Sequence, residues 1–259
     1  MTKRALSLAA VGAAVIALLF VGYPYLEFAR FGYAVSGIDV SHHQGRIDWP
    51  RVAKSGVAFA YIKETEGGDF LDDRFTENWR GAAAAGIPRG AYHFFRQCRP
   101  GDVQAQNFIA RVPKVSGALP PVVDVEDMDP CPVTNATLDP VAEITVFLDT
   151  LERHYGCRPL IYTTLQYHTA YLANLLRGER YWLRSIHVPP FYGSSGWVLW
   201  QYHHRGRRAG IAGDVDLNAF RGTKEDFETF AKGEGCQPKR EKTHATFGTS
   251  FFTLMLVRR

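Results

Sequence analysis

Eight short runs rich in β-branched and aromatic residues recur between Ala34 and Asn218: AVSGIDV, VAFAYIK, GAYHFF, PPVVDVE, PLIYTT, RYWLR, WVLWQY and DVDLN. Several are separated by stretches with helical patterning, namely Phe75 to Ala85 stopped by Gly86-Ile87-Pro88, Val103 to Val112, and Val141 to Tyr155 stopped by Gly156. This alternation constrains the fold more than any other feature, because strands linked through helices bury their surfaces most simply in a parallel sheet. The connections shorten toward the C-terminus. The expectation is an α/β fold, an irregular TIM-like (β/α) barrel with eight strands and fewer helices in the second half. A hydrophobic content of 46% supplies the core such a barrel needs.

The formal charge of +4 raises the question of a nucleic-acid partner. Its location answers it. Lys3, Arg4 and Arg30 stand against Glu27 in residues 1–34, and Lys239, Arg240, Lys242, Arg258 and Arg259 against Glu241 in residues 237–259, so residues 35–236 are slightly acidic. No nucleic-acid partner is expected. From Ala5 to Gly22 run 18 residues without a charge, preceded by Lys3 and Arg4, long enough for a bilayer span. Basic residues before a span favour an inside N-terminus, which places the remainder on the extracytoplasmic side. The stretch runs into Tyr23-Pro24-Tyr25-Leu26 rather than a small-x-small site, so it is read as an uncleaved membrane anchor, with secretion the outcome if it is cut. The apolar FFTLMLV near the end is too short to span. Residues 1–34 are thus an anchor or signal segment with linker, and residues 237–259 a basic tail.

Cys98, Cys131, Cys157 and Cys236 suit an oxidising compartment. Cys98 and Cys131 both follow expected strands beside Pro or Gly turns, so a Cys98–Cys131 disulfide is expected, leaving Cys157 with Cys236. No CxxC or paired His spacing supports a metal. His42-His43 and His203-His204 are adjacent pairs, which on a strand point to opposite faces and chelate poorly.

In parallel barrels chemistry sits at the C-terminal ends of the strands. That rule selects Asp39 near the end of the first strand, Glu64 and Glu66 after the second, Asp124 and Glu126 at the end of the fourth, and Asp214 and Asp216 on the eighth. In Val122-Val123-Asp124-Val125-Glu126 the period of two sends both carboxylates to one face. Two carboxylates held close and partly buried cannot both ionise freely, so one should hold a proton and serve acid catalysis.

The motifs GIDVSHHQGRIDW from Gly37, YIKETEG from Tyr61, GIPRGAYHFF from Gly86, PPVVDVE from Pro120, PLIYTT from Pro159, WQY from Trp200 and VDLN from Val215 together resemble the glycoside hydrolase family 25 lysozymes over residues 35–222. The resemblance implies a catalytic domain, taken as residues 35–236, that hydrolyses the β-1,4 bond between N-acetylmuramic acid and N-acetylglucosamine in peptidoglycan. It implies Glu126 as proton donor, Asp124 as its partner assisting the 2-acetamido group, and Asp39 and Asp216 as the other two acids. Asp214 rivals Asp216, though the spacing to Asn218 favours the latter. Asp127 and the segment LRSIHVPP after Trp182 depart from the commonest forms of the family.

Tyr61, Tyr92, Tyr162, Trp182 and Trp200 offer surfaces on which sugars stack, and Gln201 a hydrogen-bonding side chain. The partners expected are peptidoglycan glycan strands and, through residues 5–22, the bacterial membrane. A monomer without cofactor is expected. Two other functions fit the same residues: a non-catalytic peptidoglycan-binding module on this fold, and a hydrolase of chitin-like N-acetylglucosamine polymers.

Overall fold

The eight runs become β1 (Ser36–Val40), β2 (Phe59–Glu66), β4 (Arg89–Phe94), β5 (Val122–Val125), β6 (Leu160–Thr163), β7 (Tyr181–Arg184), β8 (Trp197–Gly206) and β9 (Val215–Phe220). A two-residue strand, β3 (Phe70–Leu71), folds back on the end of β2 and is too short to have left a pattern. The computed structural model describes residues 32–126, 138–186, 189–190 and 196–233, together with Gly12. The strands pair in the order β1-β2-β4-β5-β6-β7-β8-β9 and return to β1, closing a barrel of eight with β3 at its rim.

Within the barrel the pairings from β1 round to β8 are parallel, but β9 is antiparallel to both β8 and β1, and the rim strand β3 is antiparallel to β2. The wholly parallel sheet expected from the alternation is corrected here. The eight residues between Gly206 and Val215 fall short of the dozen or so that a parallel crossover requires, so the chain turns back as a hairpin.

Helices α1 (Trp49–Lys54), α2 (Phe75–Ala84), α3 (Gly101–Ile109) and α4 (Pro140–Tyr155) pack outside the first half of the barrel. Asp139 caps α4 by accepting from Val141 N–H at 3.0 Å, and Gly156 ends it at φ 75°, a left-handed conformation that glycine adopts without cost. After β6 only a short helical turn (Leu165–Tyr167) and a π-helical turn (His168–Leu172) precede β7. Helix α5 (Lys224–Ala231) sets Phe227 and Phe230 against Phe59 and Phe220, plugging the N-terminal end of the barrel.

Two apolar shells result from the period of two along each strand. Ile38, Ile62, Val123, Ile161 and Leu183 face the helices, whereas Phe59, Tyr61, Val122, Leu160 and Trp182 fill the interior. The plug and the interior rings close one end, which leaves the opposite rim for polar side chains. Cys98 follows β4 and Cys157 precedes β6, at opposite ends of the barrel, and each is disulfide-bonded. Cys131 and Cys236 lie outside the described residues, as do residues 237–259 and, apart from Gly12, residues 5–22. Among the described residues no helix is long and apolar enough to cross a membrane.

His93 is a buried polar member of the outer shell. Gln104 Nε2 donates to the carbonyls of Arg96 and Arg99, so its Oε1 can only accept, and His93 Nε2–H donates to it at 3.1 Å. The Thr65 hydroxyl then donates to His93 Nδ1 at 2.7 Å, which requires a neutral ring. Burial accordingly pulls the His93 pKa down to about 4. A histidine whose folded pKa is depressed stabilises the fold fully above its unfolded pKa of about 6.5 and loses that contribution as pH falls toward 4, a span of about 3 kcal/mol. In urea unfolding, the stability difference between wild type and His93→Gln should therefore shrink by that order from pH 7 to pH 4. A difference independent of pH would contradict the neutral, buried ring.

Candidate active site

Three strands deliver four acids to the open rim. Asp39 is the penultimate residue of β1, Asp124 the third of β5 with Glu126 just past its end, and Asp216 the second of β9. The reversal of β9 matters here. Running antiparallel, its beginning lies level with the ends of the other strands, and Asp216 stands directly opposite Asp39 in register. All four acids line one pocket of about 210 Å³.

Asp39 is buried and held by two amides. Its Oδ2 accepts from Asn218 Nδ2 at 2.7 Å and from Gln201 Nε2 at 3.3 Å. Each amide is oriented from behind by an aromatic donor: Trp182 Nε1–H to Asn218 Oδ1 at 2.9 Å, and Tyr162 O–H to Gln201 Oε1 at 3.1 Å. These donors favour an anionic Asp39, opposing the burial that raises its pKa. Asp216 also hydrogen-bonds to Asp39. Burial, followed by the charge of Asp39 and this hydrogen bond, pushes Asp216 up to about 9, against the lowering effect of Arg184. Their mutual hydrogen bond raises Asp216 and lowers Asp39, which fits a single proton carried on Asp216 and donated to Asp39.

Asp124 and Glu126 form the second pair. Burial, then the charges of Glu126 and Asp39, hold Asp124 well above the usual carboxylate range, with Lys63 opposing. Its Oδ1 is buried and accepts no hydrogen bond. Glu126 is half-buried at the rim, and its backbone carbonyl accepts from Gln97 Nε2 at 3.3 Å. The pair expected from the period of two therefore faces one pocket, with the deeper member pushed toward its protonated form.

Tyr92, Tyr162, Trp182 and Gln201 line the pocket with the acids. Tyr61 and Trp200 do not, which corrects their expected role as sugar-stacking surfaces. Tyr61 has the inward parity but sits one layer down, donating its hydroxyl to the Pro120 carbonyl at 3.1 Å with its ring 5.1 Å from that of Trp182. Trp200 faces the outer shell, donating to the Ser185 carbonyl at 2.6 Å and packing 5.5 Å from Tyr33, because its neighbour Gln201 takes the inward position. Asp214 pairs with Arg207 at 2.8 Å on the surface, outside the pocket. Glu64 points away from the pocket, and burial and Asp72 raise it to about 8. Glu66 pairs with Lys63.

Ser41, Lys63 and Phe94 line the pocket without having been singled out, as does His43, which was weighed only as a metal ligand. Lys63 and Phe94 follow Tyr61 and Tyr92 by two residues, so the strand period carried the signal. His42 and His43 lie on a 3-10 turn (His42–Gln44), not a strand, and their rings are 4.0 Å apart. His42 is turned to Asp72, Nδ1 to Oδ2 at 2.9 Å, while His43 reaches the pocket. Among the described residues no cluster of His, Cys, Asp and Glu is arranged to hold a metal.

Comparison with known proteins adds the following. The model of glycosyl hydrolases family 25 matches residues 38–211, which include Asp39, Asp124 and Glu126 and stop five residues short of Asp216. Lysozyme M1 of Streptomyces globisporus is 36% identical over 203 residues, covering 73% of this chain and 68% of that protein. The structure of a family 25 glycosyl hydrolase from Bacillus anthracis superposes with a TM-score of 0.69 at 37% identity, covering 77% of this chain and 94% of that one. That of a bacterial lysozyme from Streptomyces coelicolor does so with 0.68 at 34%, covering 78% and 99%.

The raised acids destabilise the fold that holds them. An aspartate whose folded pKa lies above its unfolded value contributes its stability below pH 3.8 and loses it as pH rises toward about 9. Asparagine at 216 copies the protonated form, keeping a donor for Asp39 without that cost. Asp216→Asn should raise stability near neutral pH by on the order of 1–2 kcal/mol after allowance for partial exposure, a Tm gain of roughly 2–8 °C, and by nothing near pH 3.5. Equal melting temperatures at neutral pH would contradict the shared proton.

Proposed function

The chain belongs to glycoside hydrolase family 25, and we propose from that premise that it is a lysozyme that cleaves the β-1,4 bond between N-acetylmuramic acid and N-acetylglucosamine in peptidoglycan. The observation that carries the reading is the buried, unpartnered Oδ1 of Asp124 facing the same small pocket as Glu126. Buried polar atoms are almost always hydrogen-bonded, so an orphan acceptor in a pocket is suited to a ligand donor. The N–H of a 2-acetamido group is such a donor.

Glycoside cleavage needs an acid for the leaving oxygen and stabilisation of an oxocarbenium-like centre. Glu126, at the rim, protonates the glycosidic oxygen. Asp124 accepts the acetamide N–H and turns its carbonyl oxygen toward the anomeric carbon, stabilising the positive charge that develops as the bond breaks. Asp39, fixed by Asn218 and Gln201, and Asp216, carrying their common proton, position the sugar without adding a second full negative charge. Tyr92, Tyr162 and Trp182 supply aromatic faces for the glycan. A purely binding module has no use for carboxyls held at this electrostatic cost.

The catalytic domain is residues 35–236, held on the extracytoplasmic side by residues 5–22, with 237–259 a tail. Two disulfides, Cys98–Cys131 and Cys157–Cys236, suit that compartment. Digestion of purified peptidoglycan should release chains with a new N-acetylmuramic acid reducing end; a new glucosamine end from chitin would reassign the substrate, and retention without cleavage would leave only binding. Glu126→Gln should lower turnover by about 10²–10⁴ with glycan binding kept, and Asp124→Asn should also cripple it. Near-normal turnover in Glu126→Gln would remove that residue from its role.

A further inference from the structure

Lys63 brings a positive charge into the acid pocket that the reading above does not use. It stands on β2 with the inward parity, its side chain only 11% exposed. Its ammonium donates to Glu66 Oε2 at 2.6 Å and lies 4.8 Å from the centre of the Phe94 ring and 5.3 Å from that of Phe70. Glu66 is gripped from its other oxygen by Arg96, through Nε at 2.8 Å and through Nη2. Arg96 is pinned in turn by its backbone, its N–H donating to Gln104 Oε1 at 2.8 Å and its carbonyl accepting from Gln104 Nε2 at 3.0 Å. Burial alone would raise Glu66, but hydrogen bonds from Lys63 and Arg96 hold it below the usual range, so the tether stays ionic.

We propose that Lys63, anchored by Glu66 and Arg96, is a positioning residue: its ammonium, brought into the pocket that Asp124 and Glu126 line, offsets the surrounding acids so that Asp124 can meet the sugar amide as an anion. This rests on the lysozyme reading. Glu126, Asp39 on β1 and Asp216 on β9 all oppose ionisation of Asp124, and Lys63 is the cation that favours it. The other titratable groups facing the pair do not replace it. Tyr92 on β4 is half-buried and Tyr162 on β6 buried, both are raised and hence neutral, and Arg184 on β7 acts on Asp216 and Tyr162. His43 lines the same pocket. With Oδ1 of Asp124 accepting no hydrogen bond, the lysine charge stands in for the donors that hold Asp39.

The sign of the effect follows. Removing a positive charge lets Asp124 take up its inactivating proton at higher pH. The test is the pH dependence of kcat on soluble peptidoglycan fragments for the full chain, with Lys63→Met, Lys63→Arg and Glu66→Gln. Lys63→Met should move the acid limb up by about one pH unit, a roughly tenfold loss at a pH on that limb, with KM little changed. Lys63→Arg should keep the limb in place, and Glu66→Gln, which removes the negative charge that partly neutralises the ammonium, should move it down. A uniform drop in kcat with the limb unmoved in Lys63→Met would reduce Lys63 to packing and overturn the proposal; if that variant does not fold, an unmoved limb in Glu66→Gln overturns it. Should wild type release no sugar, the lysozyme reading fails. The lysine assignment is then decided by carboxyl NMR of Asp124, whose titration must move upward in Lys63→Met and whose constancy would refute it.

Discussion

The insertion of β9 between β8 and β1, running against both, is the constraint on which the site depends. It closes the barrel, and it brings the start of a strand to a rim otherwise built from strand ends. Asp216 is thereby set across from Asp39, and Asn218, two residues on, is inward and one step deeper, where it reaches Asp39 from below at 2.7 Å. A parallel β9 would have put the same aspartate at the plugged end, beside Phe59 and Phe227, and carried Phe220 to the open rim. The hairpin that reverses the chain is therefore as much a part of the chemistry as the acids.

Depth then differentiates the acids. Asp39 receives two amide donors, each oriented by an aromatic N–H or O–H, so a buried charge is tolerated there. Asp216 has Asp39 as its neighbour and keeps a proton. Asp124 has neither amides nor a neighbour willing to donate, and only Lys63 among its principal charged neighbours offsets three acids. Four similar carboxyls thus acquire different characters from their surroundings, which is how one pocket holds both an acid and an anion near neutral pH.

Much of this was legible in the chain. The eight strand runs all became barrel strands, and the period of two in VVDVE placed Asp124 and Glu126 on a common face. Direction was not legible for β9, because strand direction depends on the length of a link whose ends are blurred in HHRGRRAGIAGD, where β8 runs on as far as Gly206. Trp200 misled for a physical reason. At this rim the interior is polar and the outer face apolar, so Gln201 turns in and the tryptophan turns out. Tyr61 misled for another, since periodicity gives the face of a strand and not the depth along it. Lys63 shares that face one step nearer the rim and was passed over, although the same period pointed to it.

The central claim is that crowding keeps protons on aspartates of this pocket at pH values where ordinary aspartates have lost them. It is tested most directly by following the side-chain carboxyl carbons of selectively labelled aspartates by NMR from pH 3 to pH 10. The account requires Asp216 to remain protonated through neutral pH and to lose its proton in a step coupled to Asp39. Complete ionisation of Asp39, Asp124 and Asp216 below about pH 5, the range of unperturbed aspartates, would contradict it.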